Sequence, residues 1–183
     1  MLKTYTLTEM IGEWRTRCGF EPLRADCIAQ CSGTDVDAHL TRLIGDWYIN
    51  LLLTAPAALL NVEETAPICT LSEGRVTAGP GVVRVTSVKL SGWVNEAEPL
   101  TRDSPAAQRA LALRANPYSA AGVNTPAAVL SPSGDSIEVW PCDESSRLLS
   151  AKGIVYNTDS ELFTLSPTLL ADIPRYFKSL AEL

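Results

Sequence analysis

The segment Val82-Val83-Arg84-Val85-Thr86-Ser87-Val88-Lys89-Leu90-Ser91-Gly92-Trp93 constrains the fold of this chain more than any other. It is dense in β-branched side chains, which fit a pleated, half-buried surface. Gly79-Pro80-Gly81 precedes it and Gly92 falls near its end, so it reads as one long strand. Val83 and Val85 share one side-chain phase, whereas Val88 and Leu90 take the other. Side chains alternate faces along a strand, so this slip predicts a bulge near Thr86-Ser87 or burial of both faces. A partner unit follows: Ala127-Ala128-Val129-Leu130, then Ser131 to Ser136, then Ile137-Glu138-Val139-Trp140-Pro141. It reads as strand, tight turn, strand. Neither unit supplies a nucleophile, base and acid together; both suit holding a shape and presenting loops.

The flanking segments switch to helical signals. Thr6-Leu7-Thr8-Glu9 fits a capping box. Leu7, Met10, Ile11, Trp14 and Cys18 follow at helical spacing, and Gly19 is the expected stop. A short helical turn is predicted over Ala25–Gln30. A second helix starts at Gly33-Thr34 and carries Val36, Leu40, Leu43, Ile44, Trp47 and Leu51 on one stripe. Ala55-Pro56 ends it. Ile68–Leu71 and Arg75–Ala78 flank Ser72-Glu73-Gly74 as a hairpin, and Glu96–Leu100 is expected to pair back after a turn at Gly92–Asn95. Ser104-Pro105 opens a helix over Ala106–Ala115. Arg147–Tyr156 is a further strand. Ser166-Pro167 opens a terminal helix with Leu169, Leu170, Ile173, Tyr176, Phe177 and Leu180 on one face, which Pro174 should kink or split.

This order predicts an α+β fold: N-terminal helices, an antiparallel β meander or sandwich-like core, an inserted helix and a C-terminal helix. A single domain over residues 1–183 is expected, helical over about 1–60 and mixed over about 61–183. At 183 residues such a chain buries roughly 70% of its unfolded surface. No apolar run approaches the ~20 residues of a membrane span, so no membrane partner is expected. The start, Met-Leu-Lys-Thr-Tyr-Thr, lacks the pattern of a signal peptide, so the chain is expected to stay in the compartment where it is made or to leave it inside something larger.

The net charge is −6, from 21 acids against 15 bases. This opposes tight binding to nucleic acid, where a basic face is the usual footprint. The five cysteines, Cys18, Cys27, Cys31, Cys69 and Cys142, are odd in number and scattered, which favours reduced thiols. Cys27 and Cys31, with Cys18 and His39, offer soft ligands in a short span, but zinc prefers tighter cysteine pairs, and no metal is assigned. His39 is the only histidine, so any Ser–His or Cys–His pair would have to use it. It reads as a partly exposed helical residue. The acidic pairs are Asp35 with Asp37, Glu63 with Glu64, and Asp143 with Glu144. Asp35 and Asp37 suit a helix N-terminus, and the others read as solvated charge. Gly79-Pro80-Gly81 lacks the Lys-Ser/Thr of a phosphate loop. Ser131-Pro132-Ser133-Gly134 does not match a nucleophile elbow. No catalytic residue and no cofactor is assigned. Trp14 and Trp47 lie on helical stripes as core. Trp93 and Trp140 fall at strand ends, where a tryptophan either closes the core or contacts a partner. With Asp143 and Glu144 they form the candidate protein interface.

The order of parts resembles the head-to-tail adaptor, or neck ring, proteins of tailed bacteriophages, including short-tailed and crAss-like phages. The residues that carry the resemblance are Asp46-Trp47-Tyr48-Ile49 in the second helix, the strand Val85–Trp93 with its Gly-Trp step, the unit from Pro126 to Pro141, and the closing helix Pro167–Leu183. These motifs are structural and loose. The resemblance implies a ring of copies, commonly twelve, docked beneath the portal protein and against other neck or tail proteins. It implies a channel that DNA passes through without sequence-specific binding. It further implies residence in the virion neck after synthesis in the host cytoplasm, with no chemistry performed. The compact C-terminus departs from adaptors that end in a long extension threading into the portal. Two other readings stay open. One is an intracellular non-enzymatic binding module of bacterial or prophage origin. The other is a hydrolase using Asp143 and Glu144, which would need a deep pocket gathering those acids near Glu138.

Overall fold

The structure, a computed structural model, describes residues 1–19, 36–116, 120–157 and 161–181, with the side chains of 36, 37, 180 and 181 excepted. In chain order the elements are β1 (Lys3–Thr6), α1 (Leu7–Cys18), α2 (Val36–Thr54), β2 (Glu63–Glu64), β3 (Thr70–Ser72), β4 (Arg75–Thr77) and β5 (Val82–Leu90). Then come β6 (Pro99–Leu100), α3 (Pro105–Leu113), β7 (Ala127–Leu130), β8 (Ser136–Trp140), β9 (Leu148–Val155), β10 (Leu162–Leu165) and α4 (Ile173–Ala181). The fold is α+β, and among the described residues all strand pairs but β6–β7 are antiparallel. The chain divides into two compact units, Met1–Asn61 with Tyr156–Leu183, and Val62–Val155.

The first unit is helical with a small sheet. Thr6 caps α1 as the sequence predicts: its Oγ1 accepts from the Glu9 N–H, and Glu9 accepts from the Thr6 N–H at 2.8 Å. Gly19 ends the helix at φ 72°, a left-handed conformation that costs glycine little. Leu40, Leu43, Ile44, Trp47 and Leu51 of α2 are all buried, as their spacing requires. The indole of Trp14 meets that of Trp47 edge-on at 5.9 Å, and Tyr176 of α4 packs against Trp14 at 6.4 Å. Such edge-to-face pairs add about 0.5–1.5 kcal/mol each beyond burial. The short sheet joins β1 to β10, with Lys3 opposite Leu165 and Thr6 opposite Leu162. Neither strand was expected from the sequence. After it, residues Pro167–Asp172 form 3-10 turns, and α4 begins only at Ile173. The terminal helix expected from Pro167 is thus split, with Pro174 in the first turn of α4. There its missing N–H leaves no helical bond unmade.

The second unit is two sheets that share one apolar core. One runs β2-β9-β5 and the other β3-β4-β8-β7-β6. Val85, Val88, Leu90 and Ala151 from the first pack with Val76, Ala128, Ile137 and Val139 from the second. The long strand does slip: its register on β9 shifts between Val85 and Ser87, among other places. Val85 is buried before the shift, and Ser87, Val88 and Leu90 are buried after it. The β3–β4 hairpin turns on Glu73 and Gly74, with φ of 50° and 71°. Positive φ at both turn positions matches the twist of the flanking strands. Ala97 returns to pair with Val88, while β6 runs parallel to β7. Ser104 caps α3 by accepting from the Ala107 N–H at 3.2 Å. The predicted turn at Ala25–Gln30 and the helix start at Gly33-Thr34 lie outside the described residues.

Candidate protein interface

Gly92, at φ 84°, lets the chain reverse immediately after β5. That reversal turns Trp93 inward. Trp93 is 5% exposed, packs in the core of the second unit, and donates from Nε1 to the Pro141 carbonyl at 2.8 Å. Trp140, the last residue of β8, is 6% exposed and packs on Ala107 and Val129. The Arg114 guanidinium covers its ring at 4.9 Å from the centroid. Both indoles therefore close the core, the first of the two roles weighed for strand-end tryptophans.

Asp143 and Glu144 are exposed on the loop that follows. Asp143 Oδ1 accepts from the Ser145 hydroxyl at 2.7 Å, the Ser146 hydroxyl at 3.0 Å and the Ser145 N–H at 2.9 Å. These bonds, Ser145 first, hold its carboxyl below the usual aspartate range. The aspartate organises its own loop. An open cavity of about 720 Å³ lies alongside, and Glu73, Arg114, Trp140, Cys142, Asp143 and Glu144 are among its lining residues. Glu138 is not part of that lining. Its carboxylate binds Arg102 at 3.1 Å and Arg114 at 3.2 Å, and its side chain is only 14% exposed. The acids that a hydrolase would need are thus not gathered with Glu138.

The remaining candidates are placed as follows. His39 is exposed on α2. Cys69 is buried, and Cys18 and Cys142 are half-buried free thiols. Cys27, Cys31 and Asp35 lie outside the described residues, as does the side chain of Asp37. Among the described residues, no three His, Cys, Asp or Glu side chains are grouped to hold a metal ion. No described helix is long and apolar enough to cross a membrane. Glu64 is a structural acid. It accepts from the Ala151 N–H and the Ser150 hydroxyl, each at 2.8 Å, and from the Ala66 N–H at 3.2 Å. Burial pushes its carboxyl up, but these bonds together outweigh it and lower the pKa. Ser131, Ser133 and Ser136 all donate to Asp135 Oδ1, which makes the 131–136 segment a self-bonded turn.

Sequence reasoning missed the apolar side chains that do face outward. On α2, Ile49 and Leu53 are 39% and 51% exposed and lie four residues apart, on one helix face. In the second unit, Val94 and Val123 are 58% and 48% exposed on two adjacent loops. Those loops are pinned together. The Val94 N–H donates to the Val123 carbonyl at 2.8 Å, and Asn95 Nδ2 donates to the Asn124 carbonyl at 2.7 Å. Ile49 was legible as part of an aromatic-containing helical segment, but its outward face was not singled out. Comparison with protein-family models gives no match, and comparison with curated proteins gives none either.

Proposed function

We propose that this chain is a head-to-tail connector component of a tailed bacteriophage, a non-enzymatic ring subunit that extends the portal channel and docks the tail. The observation that carries the reading is the presence of two different exposed aliphatic surfaces, one in each compact unit. One is the Ile49–Leu53 helix face, and the other is the pinned Val94–Val123 loop pair. Rings form by heterologous contact, in which one patch meets a different patch on the next copy. A single self-complementary patch would instead favour a closed dimer. The ordered resemblance through Trp47, the Gly92-Trp93 step and the Pro126–Pro141 unit supports the same reading. The acidic balance, −6 overall, suits a wall that DNA passes without sticking.

The test is assembly. Purified chain, alone and with the portal protein of its phage, is examined by mass photometry and negative-stain electron microscopy. Closed rings are expected. Leu53→Asp and Val94→Asp should each abolish rings without lowering thermal stability, because both side chains are exposed. An equal mixture of the two variants should recover pairs, since each keeps one patch intact. A chain that stays monomeric with portal present, or is absent from intact virions, removes the proposal. The open cavity of about 720 Å³ favours one alternative, an intracellular binding module, because it falls in the size range of ligand sites. A stable monomer indifferent to portal is the signature of that alternative.

A further inference from the structure

We draw no further inference here: the strongest candidate, the open cavity of the second unit rimmed by Glu73, Asp143 and Glu144, is an acidic cluster with no second observation pointing to a ligand, since the Nε1 of its lining residue Trp140, though without a hydrogen-bond partner, is sealed from solvent.

Discussion

Replacing Trp93 with phenylalanine separates a core tryptophan from an interface tryptophan. Phenylalanine keeps one ring but deletes the indole N–H and part of the buried surface. The lost N–H leaves the part-buried Pro141 carbonyl without its 2.8 Å donor. A deserted buried acceptor costs about 1–3 kcal/mol. The missing ring atoms remove roughly 30 Å² of apolar contact, or about 1 kcal/mol at 25 cal/mol per Å². The sum is a loss of about 2–4 kcal/mol. Urea unfolding followed by far-ultraviolet circular dichroism reads it out, in the transition that melts Val62–Val155. With a slope of about 2 kcal/mol per molar, the midpoint should fall by about 1–2 M. The slope itself should stay constant. The reasoning fails if the midpoint moves by less than about 0.3 M. It fails equally if stability is unchanged while self-association is lost, because Trp93 would then be acting between copies.

Other substitutions test other parts of the fold. A Cβ on Gly79 would lie 1.9 Å from the Ile68 carbonyl oxygen, so Gly79→Ala must displace backbone; it should cost about 1–3 kcal/mol, or roughly 2–12 °C in Tm by calorimetry. Gly12→Ala is its control, since nothing lies within 4 Å of that site in α1, and it should stabilise by about 0.5–1 kcal/mol. Ser104→Ala removes the α3 cap and should cost about 0.5–2 kcal/mol in urea titration. The Glu64 carboxyl is held below its ordinary 4.5, so its contribution is present above that pH and disappears as pH falls through the folded value. The stability gap between wild type and Glu64→Gln should therefore narrow below about pH 4.5, and a gap that widens there contradicts the assignment.

Local chemistry made much of the fold legible. The Thr6–Glu9 box and the Gly19 stop bracket α1 in both sequence and structure. The Glu73-Gly74 turn and the slip near Thr86-Ser87 were likewise readable, because each depends on a few adjacent backbone angles. The β1–β10 pair was not. Each strand is four residues long, and the register joins Thr4 to Thr164 across most of the chain. Four residues, mostly polar in β1 and mostly apolar in β10, are too short a window to separate strand from helix by periodicity. Ser104-Pro105 and Ser166-Pro167 look alike as helix starts, yet only the Ser104 hydroxyl accepts a capping backbone N–H. Ser166 instead shares a hydrogen bond with Thr168 at 2.8 Å. Pro174 lacks the N–H that an α-helix from Pro167 would need, so the regular helix waits until Ile173.

The candidate interface shows the same division. Trp93 and Trp140 were identifiable as marginal aromatics, but their fate was decided by segments far away in sequence. Pro141 lies 48 residues from Trp93 and accepts its N–H. The Glu138 carboxylate, near which a hydrolase reading needed Asp143 and Glu144 gathered, is bonded to arginines 36 and 24 residues distant. The amino-acid sequence by itself determined the caps, turns, strand phases and α+β class, because those depend on neighbours along the backbone. Only tertiary structure decided which indoles are covered, which acids are already bonded and which aliphatic side chains face water, because exposure belongs to a pair of surfaces and not to either residue alone.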